Sequence, residues 1–287
     1  MRKIGHCLLL VVLLFPFWSA QGSSELSHIT IARGELPFTL LDGYLMVVHA
    51  RINDNFSCRL AIDTGATHSL LDLKLVRKLG LTPRPGRVFS LDRIVATEWV
   101  DVNELEAGPV SAAQFSMQAA DLSYLNSVGT VDGIIGLDVL RNSDFDVDYK
   151  AHKIRFDSGS QSSSHVPMHA GPLFLSVELK IADQSVRVLL DSGIPGLLLY
   201  EDRVGAQVTD RRTLAWADAR SLGNRISARH VTIPRVRLGG TDLERTAMLV
   251  NGPAPNTLPQ IDGYLGLSTL KVNHVAFNFR QNTFSWK

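Results

Sequence analysis

The sequence predicts a mostly β chain folded as two homologous lobes, each a closed barrel of orthogonally packed strands, with a few short helices. Two observations carry this prediction. The first is an internal duplication, the feature to seek before any other in a chain of this size. Residues Val131 to Phe156 (VDGIIGLDVLRNSDFDVDYKAHKIRF) align without a gap with Ile261 to Trp286 (IDGYLGLSTLKVNHVAFNFRQNTFSW). Asp132/Asp262, Gly133/Gly263, Gly136/Gly266, Leu137/Leu267 and Leu140/Leu270 are identical pairs, and Val131/Ile261, Arg141/Lys271, Tyr149/Phe279, Lys150/Arg280 and Phe156/Trp286 are conservative ones. The second observation is alternation of apolar and polar residues in runs that stop at turn-forming residues, the mark of half-buried strands.

The elements follow in chain order. Arg2 and Lys3 precede the apolar run Cys7 to Trp18, and the small-residue stretch Ala20-Gln21-Gly22 follows, so residues 1–22 read as a secretory signal. The run is shorter than the ~18–20 residues that span a bilayer, so no stable membrane anchor is expected and the mature protein is secreted or periplasmic. Residues 28–156 form the first lobe and residues 166–287 the second. The polar stretch 157–165 (DSGSQSSSH) serves as linker. In the first lobe Arg51 to Gly65 (RINDNFSCRLAIDTG) reads as strand, tight turn and strand, and Lys180 to Gly193 (KIADQSVRVLLDSG) repeats it with one residue fewer in the turn. Val100 to Gly108 and Val231 to Gly240 form a further pair of alternating strands ending at glycine. Ser69 to Gly80 has a leucine-rich apolar face and predicts a helix, with Ser69 as N-cap and Gly80 at its end. Brief helical turns are expected after Gly136 and Gly266.

Composition removes several function classes. The chain has 287 residues, 45% of them hydrophobic and 20% charged, which fits a folded protein with sizeable cores rather than a disordered or coiled-coil one. The formal charge is +1 and no basic stripe stands out, so no nucleic-acid partner is expected. Outside the leader Cys58 is the lone cysteine, which rules out an internal disulfide and reads as a small buried apolar residue. Neither HExxH nor paired CxxC occurs, and His165 and His169 read as loop residues, so neither metal nor cofactor is expected.

The chemistry lies in two triplets at matching places of the duplication. Asp63-Thr64-Gly65 and Asp191-Ser192-Gly193 each follow an apolar strand, RLAI or RVLL. Such a carboxylate starts in a half-buried turn; the glycine lets another backbone approach, and the hydroxyl can bond across a tight interface. Downstream, Ile134-Ile135-Gly136 and Tyr264-Leu265-Gly266 supply a second strand close by, with glycine where a side chain would collide. Asp157-Ser158-Gly159 is a third triplet, but it lies in the linker without an apolar run behind it or a repeat partner, and reads as a decoy.

This double Asp-Thr/Ser-Gly pattern, each followed by two hydrophobic residues and glycine, resembles the aspartic proteases, as a two-lobed chain of retropepsin-like or pepsin-like halves. The resemblance covers nearly all of residues 28–287. It implies acid-protease lobes of the six-stranded type meeting about a pseudo-twofold axis, with a cleft for a peptide or protein substrate. It implies Asp63 and Asp191 as the catalytic pair and an exported endopeptidase activity through a water they activate. It further implies that Thr64 and Ser192 cross-link the two loops, that Gly65 and Gly193 belong to those loops, and that Gly136 and Gly266 pack behind them. Thr67 would support the outer oxygen of Asp63 with its hydroxyl; the matching Pro195 has none. Trp99 and Trp216 fall where a flap residue is expected. With both lobes in one chain a monomer suffices. The competing class is a non-catalytic module whose cleft holds a peptide or partner without cutting it.

Overall fold

The computed structural model describes residues 7–8, 28–53, 56–90, 93–127, 130–159, 162–171, 173–205, 213–221, 224–250, 254 and 260–287. Of the expected signal only Cys7–Leu8 fall among these, as a short strand parallel to Ala219–Arg220; the rest of the 1–22 segment lies outside the described residues.

Each lobe is one copy of the same strand arrangement. In the first, Leu45–Ile52 and Phe56–Ile62 form an antiparallel hairpin. Gly133–Ile135 then enters parallel to Phe56–Ile62, with Ile134 opposite Ala61, and Leu70–Asp72 lies antiparallel on its other side. Leu70–Asp72 in turn runs parallel to Val110–Ala120, beyond which stand Arg93–Ala107 and Arg84–Ser90. The second lobe repeats the order with Leu175–Ile181, Gln184–Asp191, Gly263–Gly266, Leu197–Tyr200, Thr246–Val250, Asn224–Thr232 and Thr213–Ser221. The duplication seen in the sequence is thus a duplication of topology.

The identical Asp-Gly pairs explain why a late strand can be inserted in the middle of each sheet. A Cβ on Gly133 would lie 2.4 Å from the Leu70 carbonyl oxygen, and one on Gly263 would lie 2.1 Å from that of Leu198. Only glycine allows those strands so close. The aspartate beside each glycine pins the register: Asp132 accepts the Arg59 N–H at 2.8 Å and Asp262 the Arg187 N–H at 2.7 Å. The copies differ where Pro234 stands. Lacking an N–H, it splits the strand into Asn224–Thr232 and Val236–Leu238, whereas Arg93–Ala107 runs unbroken in the first lobe.

The lobes are joined by backbone pairing as well as by side chains. Phe145–Asp148 runs antiparallel to His274–Asn278, with Asp146 opposite Ala276. Those two residues occupy the same place in the repeat, so the local twofold axis passes between them. Lys153–Phe156 and Thr283–Trp286 extend this sheet on either side. Phe145 stacks on Phe277 at 4.7 Å, and Phe156, Phe284 and Trp286 are buried around them. A continuous apolar core therefore crosses the lobe boundary.

Three expectations are corrected. The helix is Leu73–Lys78 alone, and its N-cap is Asp72, whose side chain accepts the Lys74 N–H. Leu70–Asp72 is a strand because its backbone is claimed by neighbours on both sides, which overrides its helical apolar spacing. Ser69 serves the site described below. The linker does not stay irregular to His165: Ser164–Pro167 pairs with Thr283–Trp286, so His165 is in a strand, and His169 is in the short strand His169–Ala170. Asp157 adopts φ 51° and pairs with Arg280. The helical turns after the two glycines are present as Leu137–Leu140 and Leu267–Leu270. Cys58 is buried, and burial pushes its thiol up to about 12.

The crowding at the inserted strands has a measurable consequence. Gly263→Ala should destabilise the protein by about 3 kcal/mol or more, at the upper end of overpacking costs because the clash is with backbone. Gly240→Ala, whose added Cβ meets no atom within 4 Å, should stay within about 0.5 kcal/mol. Urea unfolding midpoints of the two variants check this, and equal midpoints would refute the packing argument.

Candidate active site

Strand alternation decides which side chains meet at the lobe boundary. In Phe56–Ile62, Leu60 and Ile62 point into the main core, while Ala61 belongs to a separate cluster with Ile134, Leu70 and Val131. Asp63 follows Ala61 by two residues and shares its face. In Gln184–Asp191 the same logic puts Leu189 with Tyr264 and Leu198, and Asp191 on that face. Each strand end thus delivers one carboxylate to the interface.

There the two turns are tied by four hydrogen bonds arranged about the twofold axis. Thr64 N–H donates to Ser192 Oγ and Ser192 N–H to Thr64 Oγ1, both at 3.0 Å. The hydroxyls donate onward into the opposite strands, Thr64 Oγ1 to the Leu190 carbonyl at 3.0 Å and Ser192 Oγ to the Ile62 carbonyl at 2.9 Å. Within each turn the inner carboxylate oxygen is fixed: Asp63 Oδ1 accepts Gly65 N–H and Asp191 Oδ1 accepts Gly193 N–H, each at 2.7 Å. The carboxyl groups are close enough for the charge of Asp63 to act on Asp191. A Cβ on Gly65 would lie 2.5 Å from Asp191 Oδ2, so this glycine is what permits the approach.

The electrostatics of the pair are those of shared burial. Both residues are 0% exposed, and among the described residues neither Asp63 Oδ2 nor Asp191 Oδ2 receives a hydrogen bond from another group. Burial raises both carboxyl groups above the ordinary carboxylate range. At Asp63 the Gly65 N–H opposes the rise, whereas at Asp191 the neighbouring Asp63 charge adds to it. Like charges at such short range disfavour the ionisation of both groups at once.

A family model described as aspartyl protease matches the chain twice, over residues 48–139 and 177–269. The chain belongs to the aspartyl protease family. The two matched segments contain the two Asp-Thr/Ser-Gly turns and their following Gly133 and Gly263 strands, one set each. A search among curated proteins returns no match.

Within this family frame, the structure brings Asp63, Thr64, Gly65, Asp191, Ser192 and Gly193 together. Gly136 and Gly266 pack behind the turns: a Cβ on Gly136 would lie 2.8 Å from the Ala66 carbonyl oxygen, and one on Gly266 would lie 2.3 Å from that of Ile194. Thr67 departs from expectation. Its hydroxyl donates to the Leu173 carbonyl at 2.9 Å, across the lobe boundary, and Asp63 Oδ2 has no hydrogen-bond partner among the described residues. The Pro195 carbonyl accepts from Ser268 Oγ at 2.9 Å. Trp99 sits in the hairpin Arg84–Ser90/Arg93–Ala107, opposite Arg84, and Trp216 in the matching hairpin, opposite Arg229.

The residue that sequence reasoning missed is Asp138. Its carboxylate accepts from both Ser69 N–H and Ser69 Oγ at 2.8 Å, and Ser69 Oγ accepts the Gly136 N–H at 3.0 Å. Ala66 and Thr67 carbonyls take the N–H groups of Leu137 and Asp138. Asp138 therefore clamps the loop after Asp63 to the strand end behind it. The second lobe has Ser268 in that place and a lighter clamp through Pro195. The exchange of Asp138 for Ser268 within otherwise identical Gly-Leu contexts was the available signal.

Two outcomes test this geometry. Thr64→Val keeps the volume but removes two of the cross-lobe hydrogen bonds and leaves the buried Ser192 N–H unpaired, so it should cost about 2 kcal/mol or more in urea unfolding. The second outcome is a pH dependence. Between the ordinary carboxylate range and the raised values of the pair, the folded protein holds protons that the unfolded chain has released. The pair therefore stabilises most on the acid side, and that stability is lost as pH rises through the raised values. Asp191→Asn removes the charge while keeping the shape, so its stability relative to wild type should grow as pH climbs from about 4 to about 8. A difference that stays flat across that range means no proton is shared.

Proposed function

We propose that the protein is an exported aspartic endopeptidase in which Asp63 and Asp191 hold one proton between them and activate a water for attack on a peptide bond. The observation that carries this reading is the facing of the two buried carboxyl groups, with inner oxygens fixed by Gly65 and Gly193 and, among the described residues, no hydrogen-bond partner on either outer oxygen. In the reaction, the ionised member takes a proton from the water as its oxygen adds to the scissile carbonyl carbon. The protonated member gives its proton to the carbonyl oxygen. The resulting tetrahedral diol collapses when the protonated carboxyl passes its proton to the amide nitrogen, the C–N bond breaks, and the ionised carboxylate takes the proton of one diol hydroxyl as that oxygen becomes the new carbonyl. The pair returns to one shared proton, and no bond forms between enzyme and substrate.

A specific observation favours a second reading, a peptide-holding module without cleavage. Neither Thr67 nor Pro195 supplies a hydroxyl to an outer oxygen. The two readings part in a cleavage assay of the mature chain on a mixed peptide library, scanned over pH.

For the protease reading, Asp63→Asn and Asp191→Asn should each abolish cleavage, and the double variant should be scarcely worse than either single, since groups that act as a unit are not additive. Wild-type activity should fall at both pH extremes because one proton on the pair is required. Asp157→Asn, in the third triplet, should cut like wild type. Cleavage by Asp191→Asn at the wild-type rate sinks the two-lobe dyad, and binding without cleavage by every form supports the module. Export is tested separately: a chain lacking residues 1–22 should remain inside the cell, and its recovery outside would end the signal assignment.

A further inference from the structure

Strand register shows which residues occupy equivalent places beside the two acidic loops. In the first lobe Ile134 lies opposite Leu70, Leu70 opposite Gln118, and Gln118 opposite Trp99. In the second lobe the same steps run from Tyr264 to Leu198, Met248 and His230. His230 therefore stands where Trp99 stands, and Met248 where Gln118 stands. On the loop side the equivalent residues are His68 and Gly196, each the fifth after its aspartate. Both are seated against the glycine behind the turn: a Cβ on Gly136 would lie 2.7 Å from the His68 carbonyl carbon, and one on Gly266 would lie 2.8 Å from the Gly196 nitrogen.

One backbone frame is thus filled in the first lobe and open in the second. In the first, the His68 ring meets Trp99 edge to face at 5.3 Å between centroids. The buried Gln118 opposite Trp99 donates through its amide nitrogen to the Arg87 carbonyl at 3.3 Å. In the second, a Cβ built on Gly196 would meet no atom within 4 Å. Gly196 also lies outside the left-handed region, so neither crowding nor backbone conformation demands glycine there. At the facing position an imidazole replaces the indole. Beside it Met248 replaces Gln118 and joins the buried apolar cluster of Ile194, Leu198 and Tyr264 on the Asp191 face. The exchanges remove one ring, shrink a second and turn a polar neighbour apolar. His230 adds no charge in neutral solution, because partial burial lowers its basicity further.

We propose that the open space at Gly196, on the side of the Asp191 loop that faces His230, is a specificity pocket for a large apolar side chain on one side of the scissile bond. On the other side of that bond the equivalent space is taken by His68 and Trp99, so the peptide carries a small residue there. This deepens the protease reading and rests on it for the identity of the ligand as a peptide. Gly196 is the residue that sets the pocket's depth, since any side chain there projects into it. Met248 and the neutral His230 give it an uncharged wall, which favours Leu or Phe over Asp or Lys because a charged group would lose its water without gaining a partner.

The test uses peptides of one length with Ala, Leu or Phe at each position flanking the scissile bond. Each is made both as a substrate and as an uncleavable analogue with a hydroxyl in place of the scissile amide. Wild type should prefer Leu or Phe over Ala at one flanking position by about tenfold or more, the discrimination a hydrophobic pocket supplies, and should prefer Ala at the counterpart across the bond. Gly196→His gives the second lobe the side chain of the first and should lower the Leu/Phe preference about tenfold. Gly196→Ala, whose added methyl has room, should lower it less and keep the wild-type urea unfolding midpoint. His68→Gly should raise acceptance of Leu or Phe at the counterpart position. A wild type that treats Ala, Leu and Phe alike at every position, or a folded Gly196→His protein with the full preference, overturns the proposal. If wild type cuts nothing yet binds the analogues with this preference, and Gly196→His loses it, the protease reading fails and the pocket stands. A chain that neither cuts nor binds any member of the series overturns both.

Discussion

The structure depends on the exchange of hydrogen bonds between Thr64 and Ser192. These two side chains and their backbone N–H groups join the turns on which Asp63 and Asp191 stand, and they do so with every donor and acceptor satisfied by the opposite lobe. A buried bond of this kind contributes only about 1 kcal/mol net, but leaving its partners unpaired costs more. That asymmetry makes the joint all-or-none. Each lobe holds half of a site, and the half is complete only when the other copy is in place.

The joint brings together two groups that repel. Both carboxyl groups are buried and raised above their ordinary range, so the site is held at a cost to stability at neutral pH and above. Backbone pairing between Phe145–Asp148 and His274–Asn278, with the stacked phenylalanines beside it, supplies adhesion that does not depend on the acidic turns. The adhesive and the chemical parts of the lobe boundary are thus separate, and the second can be strained because the first is not.

Duplication preserved the frame and let the surroundings diverge. Gly133 and Gly263, Asp132 and Asp262, and the Asp-Thr/Ser-Gly turns are kept because inserted strands and touching turns leave no volume for anything else. Next to them the copies part: Asp138 against Ser268, Thr67 against Pro195, His68 against Gly196. The first lobe has the stronger clamp and the aromatic contact to its hairpin, and the second the lighter one. A twofold backbone therefore carries asymmetric surroundings for the two acidic turns.

Much of this was legible in the residues. The repeat, the strand alternation and the two acidic triplets are local patterns, and close packing leaves glycine where a strand must pass, so the lobes and both aspartates could be named from the chain alone. The same reasoning set Asp157 apart from Asp63 and Asp191, because it lacked an apolar strand behind it. What could not be read were choices made between distant segments. Leu70–Asp72 has the spacing of a helix and became a strand because two other strands claim its backbone. Thr67 has the right residue type to support Asp63, yet its hydroxyl goes to Leu173, a carbonyl more than a hundred residues away. Asp138 and His68 carry no motif of their own, and their meaning arises only once Ser69, Gly136 and Trp99 surround them. Sequence by itself determined the duplicated lobes and most of their strands and marked the two acidic turns, since these follow from periodicity and steric need. Tertiary structure alone decided which hydroxyl meets which oxygen, because a hydrogen bond is set by the position of its partner.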